Sequence, residues 1–391
     1  MLPRCRSGTT CGTGAMPARC RFAGIAAFAA FALTVCLPVT TQAQSALTVY
    51  GVADVSVRHL TNANGGDVLA LSPGGLQGSR VGFKGTEDLG AGLKAQFVLE
   101  SGFVVDTGAS DQQGQLFGRQ AWVSVGDEAH GTLSAGRIYG VPFTFLGIYD
   151  PLWIGNYLES SYLPRIVGTR FDNSLAYSYR LGGFDLQLVH AFGEQAGDGR
   201  KGASSALGLQ YATANLTFGG VAQRSLDANE KALTILGAGA NYKLGRATLY
   251  VLYVNARREA GFAVIQGPGQ ALANTSLLGN ANTALGPATQ TGSRTDSYAS
   301  AGVGYQIGPA IYLTAGMAID NVRNAAADTG GKIRTGYLVA NYAFSKRTDV
   351  YIAADRNLLS GASVTDPNNP VLGFGGQSNR TGIGVGLRTR F

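Results

Sequence analysis

Cysteine, charge and long apolar runs are all scarce in this chain of 391 residues. Its four cysteines, Cys5, Cys11, Cys20 and Cys36, precede residue 44. Disulfide frameworks, thiol nucleophiles and cysteine metal sites are therefore excluded from residues 44–391. Charged residues make up only 14% of the chain. Because no apolar run of about 18 residues follows residue 44, the sequence predicts no membrane-spanning helix there.

Histidine is equally rare, with only His59, His130 and His190 in the chain. A hydrolase needs a base beside its nucleophile, and a histidine metal site needs ligands that converge. His190 has the apolar parity of its strand, His130 lies in a short turn, and His59 lies near a strand end. The glycine pattern "GAGLKA" lacks the strand-turn-helix context of a phosphate-binding loop. We therefore predict no enzyme activity, no metal site and no cofactor.

Residues 1–43 have the pattern of a signal peptide. Arg19 and Arg21 precede an apolar run over residues 22–37, and small residues up to Ala43 have the spacing of a signal-peptidase site. We expect cleavage near Ala43 and export across the inner membrane. Residues 44–391 are then expected to form one domain.

The leader leaves two further questions, its start and its charge. Met16 would begin a secretory leader of ordinary length, so we expect translation to start there. A lipoprotein anchor at Cys36 is disfavoured, because Val35 is larger than the small residue that such a cleavage site requires.

Removing the four arginines of the leader from the formal net charge of +7 leaves +3 for residues 44–391. This small excess gives no basis for nucleic-acid binding.

Glycine and aromatic residues are abundant, with 57 Gly, 17 Tyr and 17 Phe, and strand-like alternation recurs throughout. In the terminal segment "RTGIGVGLRTRF", one parity carries Arg380, Arg388 and Arg390 among glycines, and the other carries the apolar residues Ile383, Val385, Leu387 and Phe391. Side chains of a strand alternate between its two faces, so each such segment has one polar and one apolar face.

Sixteen strands can be placed between turn signals, beginning near residues 47, 79, 91, 116, 131, 169, 183, 204, 215, 232, 246, 295, 309, 332, 347 and 380. Short connections alternate with long ones, the latter at 61–78, 104–115, 140–168, 258–294 and 358–379. In hydrocarbon every backbone polar group needs a partner, so strands cross a bilayer only as a closed barrel. We predict an all-β, 16-stranded antiparallel transmembrane β-barrel whose wide lumen holds water.

Aromatic residues near the predicted strand ends suit the two girdles of a membrane barrel. These are Tyr50, Tyr305, Tyr312, Tyr342, Phe344 and Tyr351.

Several segments, taken together in this order, resemble the general diffusion porins of the beta-proteobacterial outer membrane. They are "LTVYGVADVSV", "SRVGFKGTEDLGAGLKAQFVLESGF", "LFGRQAWVSVG", "GTLSAGRIYG", "RFDNSLAYSY", "SKRTDVYIAA" and "GVGLRTRF". The resemblance spans essentially residues 44–391. It implies short periplasmic turns, long extracellular loops, a homotrimer among outer-membrane lipid and lipopolysaccharide, and passive diffusion of small hydrophilic solutes and ions. It also implies that Phe391 belongs to the signal read by the outer-membrane assembly machinery.

The resemblance further implies that the third long loop, here 140–168, folds into the lumen and narrows it. The loop carries the acids Asp150 and Glu159 among bulky residues, and Glu100 is expected on the same acidic side. The basic wall facing it would comprise Arg80, Lys84, Arg119, Arg137 and Arg170. Alternation by itself places four of these residues on polar faces, namely Arg80, Lys84, Arg170 and Glu100. The inward direction of Arg119 and Arg137 is inferred only from the resemblance.

A ring of basic side chains in a narrow aqueous gap favours anions. We therefore predict an anion preference. Two alternatives stay open from the sequence: a substrate-specific channel for organic anions, and a structural or adhesive barrel with a plugged lumen.

Overall fold

The computed structural model describes residues 46–63, 65–154, 163–264, 276–278, 292–326, 328–366, 369 and 374–391. The expected leader, its start and its cleavage site lie outside these residues. Within them, no helix is long and apolar enough to cross a bilayer.

Strands dominate the described chain. Their bounds are β1 Ala46–Ala63, β2 Gly66–Pro73, β3 Arg80–Gly90, β4 Leu93–Gly102, β5 Gln120–Asp127, β6 Gly131–Tyr139, β7 Arg170–Leu181, β8 Phe184–Ala191, β9 Ser204–Ala212, β10 Leu216–Leu226, β11 Ala232–Leu244, β12 Ala247–Arg258, β13 Leu277–Leu278, β14 Arg294–Ile307, β15 Ile311–Ala326, β16 Thr329–Ala343, β17 Thr348–Gly361 and β18 Asn379–Arg390. Two short helices, α1 (Val141–Gly147) and α2 (Leu163–Val167), interrupt the connection between β6 and β7.

Sixteen of these strands form a closed antiparallel barrel. Each of β3 to β12 and of β14 to β18 pairs with its neighbour, β12 pairs with β14, and β1 pairs with β3 on one side. On its other side β1 pairs with β18, from Val52 opposite Arg390 to Leu60 opposite Gly382, which closes the sheet. The prediction is confirmed, and each predicted strand start lies within four residues of the observed one.

The two remaining strands extend the wall locally. β2 pairs with the second half of β1 on the same side as β3, so that residues 74–79 interrupt what would otherwise be one long strand. β13 pairs with the start of β7, where Phe171 lies opposite Leu277. Phe171 is fully buried in the main apolar cluster of the chain.

The outer face is apolar and exposed, as alternation requires of a surface that meets lipid. Ile383, Val385 and Leu387 of β18 are each about half exposed, whereas Arg388 of the opposite parity binds Asp349 inside the barrel. The girdle prediction is only partly met. Tyr305, Tyr342 and Phe344 are exposed. Tyr50 and Tyr351 instead bind inward-facing carboxylates, and Tyr312 has the inward parity of Asp320 on β15.

The connections at one barrel end are tight turns. Gly182, Gly245 and Gly308 each have φ near +60°, a conformation that glycine adopts without strain. At the other end, the expected long loops occur after β4, β6 and β12, but residues 227–231 and the β15–β16 hairpin are short connections. β15 and β16, with 16 and 15 residues, are slightly longer than the 14-residue strands β14 and β17 on either side of them.

Candidate functional site

Four arginines predicted for the pore wall meet on the inner face of β3 to β7. Arg80 begins β3, Arg119 directly precedes β5, Arg137 lies in β6, and Arg170 begins β7. Arg80 has the inward parity of Gly82 in β3. Strand parity alone does not place Arg119, which lies outside the paired part of β5, or Arg137, which follows the irregular residue Gly136 with φ +133°. Their side chains reach the inner wall by binding Glu100 and Asp172. Glu100 of β4 joins them, because it lies directly opposite Gly82 of β3.

Glu100 is the hub of this arginine cluster. Its carboxylate accepts Arg119 Nε at 2.8 Å, the Tyr50 hydroxyl at 2.9 Å and the Tyr139 hydroxyl at 3.1 Å. Arg80 Nε lies 3.8 Å from the same carboxylate. Glu100 was expected on an acidic side across the lumen from the arginines. The structure instead places it among them, because β4 lies between β3 and β5.

Tyr139 orders the guanidinium groups around one ring. Its hydroxyl accepts Arg119 Nη2 at 2.8 Å, and the guanidinium carbon of Arg170 lies 5.1 Å from the ring centroid. The Tyr139 ring also stacks on Phe143 of α1, with 5.0 Å between centroids. A cation over an aromatic face is attracted by the ring quadrupole. Tyr139 therefore couples the cluster to the root of the loop.

Arg137 binds partners other than Glu100. Its Nη1 donates to Asp172 Oδ1 at 2.6 Å, and its Nε donates to the carbonyl of Gly118 at 2.7 Å. Four guanidinium groups thus face two carboxylates, which leaves an excess of positive charge. Arg80 has the most exposed side chain of the four, at 22%.

The other predicted site residues lie elsewhere. Lys84 is exposed and lies 5.8 Å from the ring centroid of Tyr50, outside the arginine cluster. Asp150 caps a turn of the loop, where its carboxylate accepts the backbone N–H of Ile154 at 2.7 Å. Burial raises the pKa of Asp150 to about 6, because desolvation disfavours its ionised form. Glu159 lies outside the described residues.

The loop between β6 and β7 lies against the inner wall along a line of glycines. Helix α1 packs on β9, β10 and β11. An added Cβ would meet a loop side chain at four positions, at distances far below ordinary contact: at Gly208 2.7 Å from Val141, at Gly237 2.8 Å from Leu146, at Gly239 2.4 Å from Tyr149 and at Gly302 2.5 Å from Pro151. We call these four glycines the glycine track. Because glycine has no side chain, these four wall positions leave the space that the bulky side chains of the loop occupy.

The tip of this loop reaches a second segment that projects inward. Leu152 packs against a buried cluster formed by Leu76, Val339, Tyr351 and Ala353. Leu76 belongs to residues 74–79, the interruption between β2 and β3. The Asp54 carboxylate anchors that interruption, since it accepts the backbone N–H groups of Leu76 at 3.0 Å and Gln77 at 2.8 Å. The lumen is therefore narrowed from two directions, by the loop and by this insert.

The rest of the inner surface is polar. Arg58 binds Asp355, and Asp349 binds both Arg388 and Arg390 at about 3 Å. Beneath α1, toward the tight turns, lies a cavity of about 740 Å³ with charged lining residues. They include Lys94, Asp127, Arg180 and Asp185. Such a lining keeps water in the lumen.

Phe391 ends the chain at the seam of the barrel. Its backbone exchanges two hydrogen bonds of 3.1 Å with Gly51 of β1. Its ring is half exposed and covers Gly51.

Sequence reasoning missed the residues that organise the site. Tyr139 lies in the recognised segment "GTLSAGRIYG", but only Arg137 was selected there. Asp54 and Asp172 were not assigned roles, because alternation reveals the face of a residue but not its partner on another strand. Among the described residues, no group of three or more His, Asp or Glu side chains is arranged to hold a metal ion.

Comparison with solved structures supports the fold. An anion-selective porin from Comamonas acidovorans superposes with a TM-score of 0.70 at 20% identity, covering 89% of this chain and all of that chain. The trimer form of OmpT from Vibrio cholerae superposes with a TM-score of 0.60 at 15% identity over 89% of this chain and 99% of its own.

Comparison of sequences supplies the family. An outer membrane porin protein of Bordetella pertussis is 28% identical over 90% of this chain and 95% of its own length. Outer membrane porin protein 32 of Delftia acidovorans is 32% identical over 39% of this chain and 46% of its own. The profile of the Gram-negative porin family matches residues 26–362. With its closed barrel, polar lumen and apolar outer surface, the chain belongs to the Gram-negative porin family and forms a passive, water-filled channel of the outer membrane.

Proposed function

We propose that this channel is a general diffusion porin with an anion preference, and that the arginine cluster of Arg80, Arg119, Arg137 and Arg170 is its selectivity element. The observation that carries the proposal is the excess of guanidinium groups over carboxylates on one wall of a narrowed lumen. Rings of basic side chains favour anions, and a narrow gap with low-dielectric walls focuses their field. Small anions of many kinds would pass, since the cluster offers charge without a shaped pocket.

We also propose the following features, which membership of the family supports. The long loops face the cell exterior and the tight turns the periplasm. Three copies associate in the membrane, as in the trimer form of the Vibrio cholerae protein. Residues 44–391 are one domain that follows a cleaved leader, and Phe391 contributes to recognition by the assembly machinery. The channel carries out no catalysis.

The test is a reversal potential in a potassium chloride gradient across a planar bilayer. Arg80→Gln removes the most exposed charge of the cluster, and we expect the potential to move from the anion-favouring sign toward zero. The matched control is Arg180→Gln, an exposed inward arginine near the tight turns that is paired with Asp185; its potential should stay close to that of the wild type. The triple variant with Arg80, Arg119 and Arg170 all replaced by Gln should move further than Arg80→Gln. An unchanged ratio of ion permeabilities in both cluster variants would refute the assignment.

A further inference from the structure

Asp54 of β1 holds the insert between β2 and β3 at four points. Its carboxylate accepts the backbone N–H groups of Leu76 and Gln77. Its backbone carbonyl accepts the N–H of Gly74 at 2.7 Å, and its backbone N–H donates to Ser79 Oγ at 3.0 Å. Asp54 is fully buried, so these hydrogen bonds are shielded from competing water. One residue of the wall thus fixes both ends and the middle of the insert.

The insert presents a backbone carbonyl to the arginine cluster. Arg80 Nη1 donates to the carbonyl of Gly78 at 3.2 Å. Arg80 Nε lies 3.8 Å from the Glu100 carboxylate, which is too far for a hydrogen bond. The guanidinium is therefore hydrogen-bonded to the insert rather than to the carboxylate. Because a carbonyl is neutral, this bond orients the guanidinium and leaves its positive charge uncompensated.

We propose that Asp54 is a positioning residue for ion selection: through the insert, it holds the Arg80 guanidinium away from Glu100 and keeps its charge available to ions in the lumen. If the Gly78 carbonyl were no longer anchored, the flexible arginine would close the remaining distance to Glu100, since a hydrogen bond between charged groups is stronger than one to a neutral carbonyl. The most exposed charge of the cluster would then be compensated. The inference rests on the proposed anion preference of the arginine cluster.

The two carboxylate oxygens of Asp54 have different partners, which allows anchoring to be separated from charge. Oδ2 accepts the N–H groups of Leu76 and Gln77, whereas Oδ1 accepts the Tyr351 hydroxyl at 2.6 Å. In Asp54→Asn, the amide oxygen can still accept from the insert, and the amide N–H can donate to the Tyr351 oxygen. In Asp54→Ala, all of these side-chain bonds are lost. Both variants remove the same negative charge, so a difference between them reports the anchoring alone.

The experiment is the reversal potential of each variant of the full-length porin in a potassium chloride gradient across a planar bilayer. We expect Asp54→Ala to shift the potential toward zero, in the direction of Arg80→Gln but by less. Asp54→Asn should keep a potential at least as anion-favouring as that of the wild type. The control Ser56→Ala changes a buried inward residue of β1 whose hydroxyl has no hydrogen-bond partner among the described residues, and it should match the wild type. Resistance to unfolding in detergent at room temperature verifies the barrel of each variant.

A double variant separates positioning from a general loosening of the wall. Asp54→Ala combined with Arg80→Gln should have the same reversal potential as Arg80→Gln, because no charge at residue 80 remains to be misplaced. Additive shifts would overturn the proposal, as would equal potentials of Asp54→Ala and Asp54→Asn.

A milder variant keeps the proposal testable if Asp54→Ala does not fold. Ser79→Ala removes one of the four anchoring points and should give a smaller shift toward zero that disappears when Arg80 is already replaced by Gln; no shift would overturn the proposal. The outcome for Arg80→Gln distinguishes the two levels of inference. A normal shift in Arg80→Gln without a difference between the Asp54 variants would remove this inference alone, whereas a wild type without anion preference would remove the proposed function.

Discussion

If the glycine track positions the loop that narrows the lumen, adding a methyl group to one of its glycines should displace that loop. In Gly239→Ala, the new Cβ would lie 2.4 Å from Tyr149 Cδ2. Carbon atoms pack best at about 3.5 to 4.0 Å, so the ring must move from the wall by roughly 1 Å. Tyr149 is fully buried and Asn241 binds the adjacent carbonyl of Ile148 at 3.0 Å, so the loop has little freedom to absorb this shift. Overpacking of this kind costs about 1 to 3 kcal/mol.

We therefore expect Gly239→Ala to lower single-channel conductance and to increase open-channel noise, because the loop moves into the lumen and is held less firmly. The matched control is Gly336→Ala on β16, where an added Cβ meets no atom within 4 Å. The double variant Gly239→Ala with Tyr149→Leu should recover part of the conductance, since the smaller side chain leaves room for the new methyl group. If Gly239→Ala and Gly336→Ala conduct alike, the loop is not positioned by the track.

Three further predictions concern the walls of the lumen. Glu100→Gln removes a carboxylate from the arginine cluster and should strengthen anion preference in the reversal potential, while it lowers the unfolding temperature in detergent because Arg119 loses its buried partner; a weaker anion preference would contradict the cluster's role. Asp150 should make loop docking depend on pH. Its pKa is raised from 3.8 to about 6, so the docked loop retains a proton that the undocked loop has released, and the contribution to docking is full below about pH 4 and lost as pH rises through about 6. Open-channel noise should accordingly rise between pH 4 and pH 7 in the wild type but not in Asp150→Asn, and equal slopes would rule the mechanism out. Leu76→Ala should loosen residues 74–79 by about 2 to 3 kcal/mol and raise conductance, with Leu69→Ala on the exposed outer face as its control; no difference between the two would show that the insert does not narrow the lumen.

The barrel could be predicted from the sequence because each strand carries its own signal. Alternation in "RTGIGVGLRTRF" fixed which side of β18 faces out, and exposed Ile383 with inward Arg388 confirms it. The girdle prediction was wrong for Tyr50, Tyr312 and Tyr351, because it depended only on their place near strand ends. A tyrosine is amphipathic and suits a girdle or a wet lumen, so its strand parity decides between the two. Tyr50 lies on the face of Glu100, and Tyr351 has the parity of the inward Asp349.

The candidate site was less predictable, because its chemistry depends on partners far apart in the sequence. Glu100 was expected across the lumen, yet the pairing of β3, β4 and β5 puts it beside Arg80 and Arg119. Asp150 was expected on the acidic side of the constriction, but it is buried and its carboxylate accepts the backbone N–H of Ile154 in the turn after α1. The glycine track could not be recognised because glycine is abundant throughout the chain. Nothing in the sequence distinguishes Gly239, where an added Cβ would collide with Tyr149, from Gly336, where an added Cβ would meet no atom within 4 Å.

We propose that this porin conducts anions in preference to cations past its arginine cluster. The most direct test is single-channel recording of the unheated wild-type protein in a planar bilayer with a potassium chloride gradient. We predict conductance steps that arrive in threes, with a reversal potential of the anion-favouring sign. A folded barrel that gives no steps, or one whose reversal potential has the cation-favouring sign, would contradict the account.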